Sequence, residues 1–200
     1  MSTVILDPVE HRYWLENEEG TRREVPGVSH ILQSTGNHGG SFKPPARYYE
    51  KGRRIHELCE ALDRGMTIPS VDSDLALSTY VQAWMAFKRE NQVRILGIEE
   101  IVFEPDLFYA GTLDRTIVMR GRDKPIVVDL KSGAKADWHT IQLAAYLLAH
   151  AREKWRDYDA AAVYLKPSGR YGWSPVTESV MDWTVERWRG IVQQFKEMAA

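Results

Sequence analysis

The segment Ile126-Val127-Val128-Asp129-Leu130-Lys131 places a carboxylate and an ammonium group two residues apart inside an otherwise apolar run. Such a run reads as a strand covered on both faces, where a carboxylate is costly unless its charge is compensated. Side chains at i and i+2 of a strand share a face, so Lys131 stands beside Asp129. Asp114 lies on the preceding strand-like segment, Ala110 to Met119. If the register of the two strands sums to an odd number, Asp114 points to the same face, either opposite Asp129 or one diagonal away. Cross-strand Cβ atoms at those positions are ~5 to 8 Å apart. Two carboxylates at that distance repel, and a divalent cation between them converts the repulsion into affinity. A plain ion pair at a strand end would use Asp129 and Lys131 equally well, because Asp-x-Lys alone is a common triplet.

Further residues fall into order around this pair. Gly111-Thr112-Leu113-Asp114 precedes it, and Gln142-Leu143-Ala144-Ala145-Tyr146 follows it. Gln142 and Tyr146 are four apart and so share one helical face, which suits either amphipathic packing or a place beside a site. His56 and Glu60 have the same spacing, about a quarter turn from the apolar stripe of Tyr48, Ile55, Cys59 and Leu62. The string His56-Glu57-Leu58-Cys59-Glu60 lacks the second histidine of a zinc-protease helix, with Glu60 in its place. Lys43, Arg47, Lys51, Arg53 and Arg54 cluster ahead of His56. Helical spacing puts Arg47, Lys51 and Arg54 on one side, as either a phosphate-tracking edge or a solvated face.

The elements that must position these groups follow from periodicity and punctuation. Arg12–Leu15 and Arg22–Val25 flank a glycine-containing turn and predict a small hairpin, an appendage over about residues 12–25. Ser29 is placed to cap a short helix through Gln33. Pro44-Pro45 opens a helix to Asp63 or Arg64 with Gly65 at its exit, and a second helix runs from Asp74 to Asn91. Leu96–Phe103, Ala110–Met119 and Pro125–Lys131 read as strands, the last two as a hairpin. Asp137 caps a helix over Trp138–Lys154. Ala160–Leu165 and Tyr171–Val176 form another hairpin, and Val185, Trp188, Val192 and Phe195 are the buried stripe of a closing helix. Strands between helices indicate one α/β domain over residues 1–200, a mixed β-sheet covered by α-helices.

The ordered set resembles the PD-(D/E)XK nuclease superfamily in its RecB-type branch, which includes many phage exonucleases. There a Gly-x-x-Asp strand precedes an Asp-x-Lys strand and a Gln-x-x-x-Tyr helix. Pro26-Gly27-Val28-Ser29-His30-Ile31-Leu32 and Gly52-Arg53-Arg54-Ile55-His56 resemble two further motifs of that branch, so the likeness spans roughly residues 26–176. Asp129 stands where many relatives have glutamate, a shorter arm with the same carboxylate. The resemblance implies a restriction-endonuclease-like fold and metal-dependent hydrolysis of phosphodiester bonds. It implies that Asp114, Asp129, the Leu130 carbonyl and His56 hold Mg²⁺ or Mn²⁺ while Lys131 stabilises phosphate charge and positions water. Gln142 and Tyr146 would support the site or contact the nucleic acid backbone, and Glu60 would orient His56 or a water. Arg47, Lys51, Arg53 and Arg54 would meet DNA. The expected protein is a DNA exonuclease of recombination, repair or phage DNA processing, acting as a homo-oligomer or beside a recombination partner. The alternative is a catalytically silent nucleic-acid-binding or assembly subunit. The retained Asp114, Asp129 and Lys131 argue against it, because a binding module gains nothing from buried like charges.

Composition bounds the rest. Two hundred residues with 44% hydrophobic content suffice for one full core. A single cysteine excludes an internal disulfide, a four-cysteine zinc site and the iron–sulfur cluster that some RecB-type relatives carry. No Gly-x-x-x-x-Gly-Lys-Ser/Thr loop supplies an ATP motor. Twenty-six basic against 28 acidic residues make any nucleic-acid surface local. The start lacks a basic then apolar leader, and Leu143–Ala149 and Ala160–Leu165 fall far below the ~18 residues of a membrane span. The expected location is the cytoplasm of a bacterial or phage-infected cell, without membrane attachment.

Overall fold

A computed structural model describes residues 2–39, 46–66 and 75–200. Lys43, the Pro44-Pro45 pair and Asp74 lie outside the described residues. A three-stranded antiparallel sheet, β1 (Thr3–Asp7), β2 (Arg12–Glu16) and β3 (Arg22–Val25), leads into helix α1 (Val28–Ser34). Helices α2 (Ala46–Asp63) and α3 (Leu75–Glu90) precede strands β4 (Arg94–Glu104), β5 (Tyr109–Val118) and β6 (Ile126–Lys131). Helix α4 (Trp138–Ala151) and a 3₁₀ segment (Arg152–Asp157) cross to β7 (Asp159–Leu165), followed by β8 (Tyr171–Val176) and α5 (Glu178–Met198).

The second sheet has the order β4-β5-β6-β7-β8, with β6 and β7 parallel and the other neighbours antiparallel. This is the expected mixed sheet flanked by helices. Parallel strands need both faces covered. On one face Val127, Leu113 and Ala162 pack with α1, α4 and α5, including Ile31, Leu148 and Trp188. On the other, Val128, Leu130 and Val163 pack with Ile55, Cys59, Trp84 and Phe87 of α2 and α3. Burial pushes the Cys59 thiol up to about 12, so it is a packing group and not a thiolate. Helix α4 is buried nearly all round, which its Ile141–Ala149 composition permits.

Several local expectations are corrected. Thr3–Asp7 adds a third strand to the N-terminal hairpin, pairing with β2. Gly27 occupies the position before α1, and Ser29 lies inside the helix with no side-chain cap bond at its start. Asp137 has helical backbone angles and makes no capping hydrogen bond. Tyr48, expected on the apolar stripe of α2, is 56% exposed, while Ile55 and Cys59 are fully buried. Gly65 adopts the left-handed φ of +68° just past α2, as a helix exit requires. Among the described residues no helix is long and apolar enough to cross a membrane.

Candidate active site

The ladder between β5 and β6 ends at the pair Arg115–Val128, so the next pair outward is Asp114 and Asp129. The register therefore sets the two carboxylates opposite one another. There the strands part, and the Asp114 side chain replaces the main chain: its Oδ2 accepts the Leu130 N–H at 2.6 Å. Both acids are buried, Asp114 at 7% and Asp129 at 2% exposure. From α2, the His56 Nδ1 approaches Asp114 Oδ1 to 3.4 Å. From β4, Glu99 joins them, and one ligand atom each of His56, Glu99 and Asp114 lies within 4.8 Å of the others.

Groups of like and unlike charge this close shift one another's pKa. Burial opposes charge on His56, but the Asp114 charge and hydrogen bond, with Glu99 behind them, raise it to about 9. Burial pulls the other way on Asp114 too, and His56, Lys131 and the Leu130 N–H outweigh it, holding its carboxyl below the ordinary value. Burial together with the Asp114 charge pushes Asp129 up to about 6, against the pull of Lys131. Burial and Asp114 likewise push Glu99 up to about 7, against Arg115. A bound cation would compensate the same negative charges.

The residues present fit such an ion. Carboxylate oxygens with one imidazole are a donor set for Mg²⁺ or Mn²⁺. Asp129 Oδ2 is buried without an aligned hydrogen-bond donor, the Lys131 ammonium lying 2.6 Å away but off the bonding direction. Its charge is met by that ion pair, which sets Asp129 and Lys131 side by side at the cleft.

Lys131 is held by a relay. Its Nζ donates to Gln142 Oε1 at 2.7 Å, and Gln142 Nε2 donates to the Tyr146 hydroxyl at 2.8 Å. The ammonium also sits 5.2 Å from the centre of the Trp138 ring, which stacks on His38 and meets His139 edge-on. Gln142 and Tyr146 share a face of α4, as their spacing requires, and that face closes the floor of the site. Gly111 makes this possible: a Cβ there would lie 2.6 Å from Tyr146 Cε1. Gly111→Ala is expected to displace Tyr146 and cost about 1–3 kcal/mol in chemical denaturation. An unchanged unfolding midpoint would contradict this packing.

A cleft of about 1030 Å³ opens over these groups, lined among others by His56, Glu99, Asp114, Asp129, Lys131 and Tyr146. Strand β2 forms a wall, where the Tyr13 hydroxyl meets Thr112 Oγ1 at 2.9 Å. Glu60 also lines the cleft, but its Oε1 accepts from Arg64 Nε at 2.8 Å and no bond to His56 is formed. The basic residues of α2 take separate partners within the molecule. Lys51 donates to the Tyr80 hydroxyl of α3 at 2.6 Å. Arg53 and Arg54 both pair with Glu57, at 2.6 and 3.1 Å. Arg47 lies over the Tyr48 ring. Of the four, Arg53 lines the cleft.

Sequence reasoning passed over Glu99. Its signal was the pair Glu99-Glu100 inside an expected strand, where either register turns one acid inward. The Glu99 backbone sits at φ +49°, a left-handed conformation disfavoured for glutamate that aims its side chain away from the regular pleat.

An α/β/α sandwich with an acid-lined cleft where two central strands part defines the class of fold. The family model of the PD-(D/E)XK nuclease superfamily matches residues 50–200, and the chain belongs to that superfamily. Membership makes it a metal-dependent nuclease by family and implies a nucleic acid ligand. A search of curated proteins gave no match.

Proposed function

We propose that this protein is a Mg²⁺- or Mn²⁺-dependent deoxyribonuclease, an exonuclease of the RecB-type branch that serves recombination, repair or phage DNA processing. The observation that carries the reading is the convergence of Asp114, Asp129 and Lys131, with His56 and Glu99, where β5 and β6 part. Asp114, Asp129 and His56 hold the cation, and Glu99 joins the set. The N–H and C=O of one strand residue face the same edge, so the Leu130 carbonyl faces the gap into which its N–H donates. A divalent cation in such a cleft polarises a phosphodiester oxygen and lowers the pKa of water.

The protein's own groups then have separate tasks. Lys131, fixed by Gln142, presents its ammonium to the charge that develops on the phosphate and orients the attacking water. Tyr146 keeps Gln142 from rotating. Arg53 at the cleft, with Arg47 and Arg54 on the same helix, meets the sugar–phosphate backbone, with Glu57 exchanged for phosphate. Tyr146→Phe is expected to reduce cleavage about tenfold, as the loss of an outer support of a metal site does, while stability falls by only about 1 kcal/mol. Parallel rate and unfolding measurements check this, and an equal loss in both would mark Tyr146 as packing alone.

Digestion of end-labelled linear, circular and single-stranded DNA, and of RNA, tests the reading. Linear DNA should be degraded in Mg²⁺ or Mn²⁺, circular DNA spared, and all activity lost on chelation. Cleavage that survives chelation, or binding with no cleavage under any metal, would overturn it.

A further inference from the structure

Among the described residues Arg115 is the largest charged side chain sealed inside the molecule, at 0% exposure, and no step of the hydrolysis uses it. Its Nη1 donates to Glu99 Oε1 at 2.8 Å and to the main-chain oxygen of Asp114 at 2.5 Å. Its Nε donates to Asp63 Oδ2 at 2.8 Å. Asp63 ends the helix that carries His56 two turns earlier. Asp63 is itself fixed from α3, by Trp84 Nε1 at 2.9 Å from Oδ2 and by the Lys88 ammonium. One guanidinium therefore grips Glu99 directly, Asp114 by its backbone, and the His56 helix through Asp63.

Stability alone does not account for this arrangement. Well-packed apolar side chains commonly match or exceed a buried ion cluster in stability. The cluster is also incomplete, since Arg115 Nη2 is buried with no hydrogen-bond partner. Glu99 needs an anchor for a separate reason, its disfavoured backbone conformation. A carboxylate offers about four acceptor sites, so the bond from Arg115 leaves Glu99 free to ligate.

We propose that Arg115, braced by Asp63, is a positioning residue that holds Glu99 and the His56 helix in register for cation binding. The inference rests on the reading that His56, Glu99 and Asp114 bind the ion. Its test is calorimetric titration with Mn²⁺ alone, without nucleic acid, of the full-length wild type, Arg115→Lys, Glu99→Gln and the double variant. Arg115→Lys keeps the charge but cannot reach Asp63, Glu99 and the Asp114 carbonyl together. It should weaken Mn²⁺ about 10- to 100-fold, the usual effect of losing an outer partner of a ligand. In the Glu99→Gln background the same change should cost clearly less than in the wild type, because the share of its effect that passes through Glu99 is already lost while the share through Asp63 and the His56 helix remains. Losses that multiply would overturn the proposal, as would undiminished binding in Arg115→Lys. A wild type that binds no Mn²⁺ would overturn the ion reading as well. If Arg115→Lys does not fold by circular dichroism, Asp63→Asn, which leaves Arg115 against Glu99, should weaken Mn²⁺ about tenfold, and unchanged affinity would overturn the brace.

Discussion

Lys131→Ala and Asp129→Ala are each expected to lower metal-dependent cleavage by about 10²- to 10³-fold under single-turnover conditions, the usual loss when one preorganised group facing the developing charge is removed. The two substitutions fail for different reasons. Lys131→Ala leaves the acids in place and removes the ammonium that Gln142 holds at 2.7 Å, so Mn²⁺ binding should persist while the rate collapses. Asp129→Ala removes a proposed ligand and the raised carboxyl opposite Asp114, so binding and rate should fall together. Both variants should remain folded, because Val127, Val128 and Leu130 around the pair are fully buried and keep the strand in both cores. Calorimetry beside kinetics separates the cases. Wild-type cleavage by either variant would remove Asp129 and Lys131 from the chemistry.

The second large effect is a coupling of metal, pH and stability. His56 is raised to about 9 from an ordinary 6.5, so the stability its proton confers is full below 6.5 and is lost as pH rises through 9. Asp129 and Glu99, raised to about 6 and about 7 from 3.8 and 4.5, also favour the folded state when protonated. Their contribution is full below the ordinary values and is lost as pH rises through 6 and 7. Asp114 is lowered, so its contribution is present above 3.8 and lost only in stronger acid. Without metal, these groups should make the protein progressively less stable from about pH 5 to 9. A cation displaces the same protons, so its affinity should climb over that window. At 100-fold excess over Kd it adds about 2.7 kcal/mol. For a chain of this size each kcal/mol moves Tm by about 2–4 °C. Melting in chelator and in Mn²⁺ should nearly coincide at pH 5 and separate by several degrees at pH 8.5. A separation independent of pH would contradict the assigned protons.

The parts of the site that were legible beforehand are those set by short-range geometry. A period of two puts Asp129 and Lys131 on one face, and a spacing of four puts Gln142 beside Tyr146, whatever the rest of the chain does. Glu99 escaped because its direction depends on an irregular register, shifted between Ile95 and Gly97 in the β4–β5 ladder, and on its left-handed backbone. The basic run on α2 shows the converse limit. Helical spacing gave a side for Arg47, Lys51 and Arg54, but the partners came from elsewhere, Glu57 within the helix and Tyr80 from α3. Strand β1 was missed because Val4-Ile5-Leu6 does not alternate, and its pairing with Tyr13, Trp14 and Leu15 of β2 is a tertiary matter. The fold class itself followed from the order of strands and helices, which leaves few ways to cover a mixed sheet.

All of this rests on an acidic pocket built to receive a cation. Anomalous diffraction from crystals soaked in Mn²⁺ examines that directly. The account predicts a peak coordinated by Asp114, with His56, Asp129 or Glu99 completing the shell and Lys131 alongside. No peak there, or Mn²⁺ bound only away from Asp114, would contradict it.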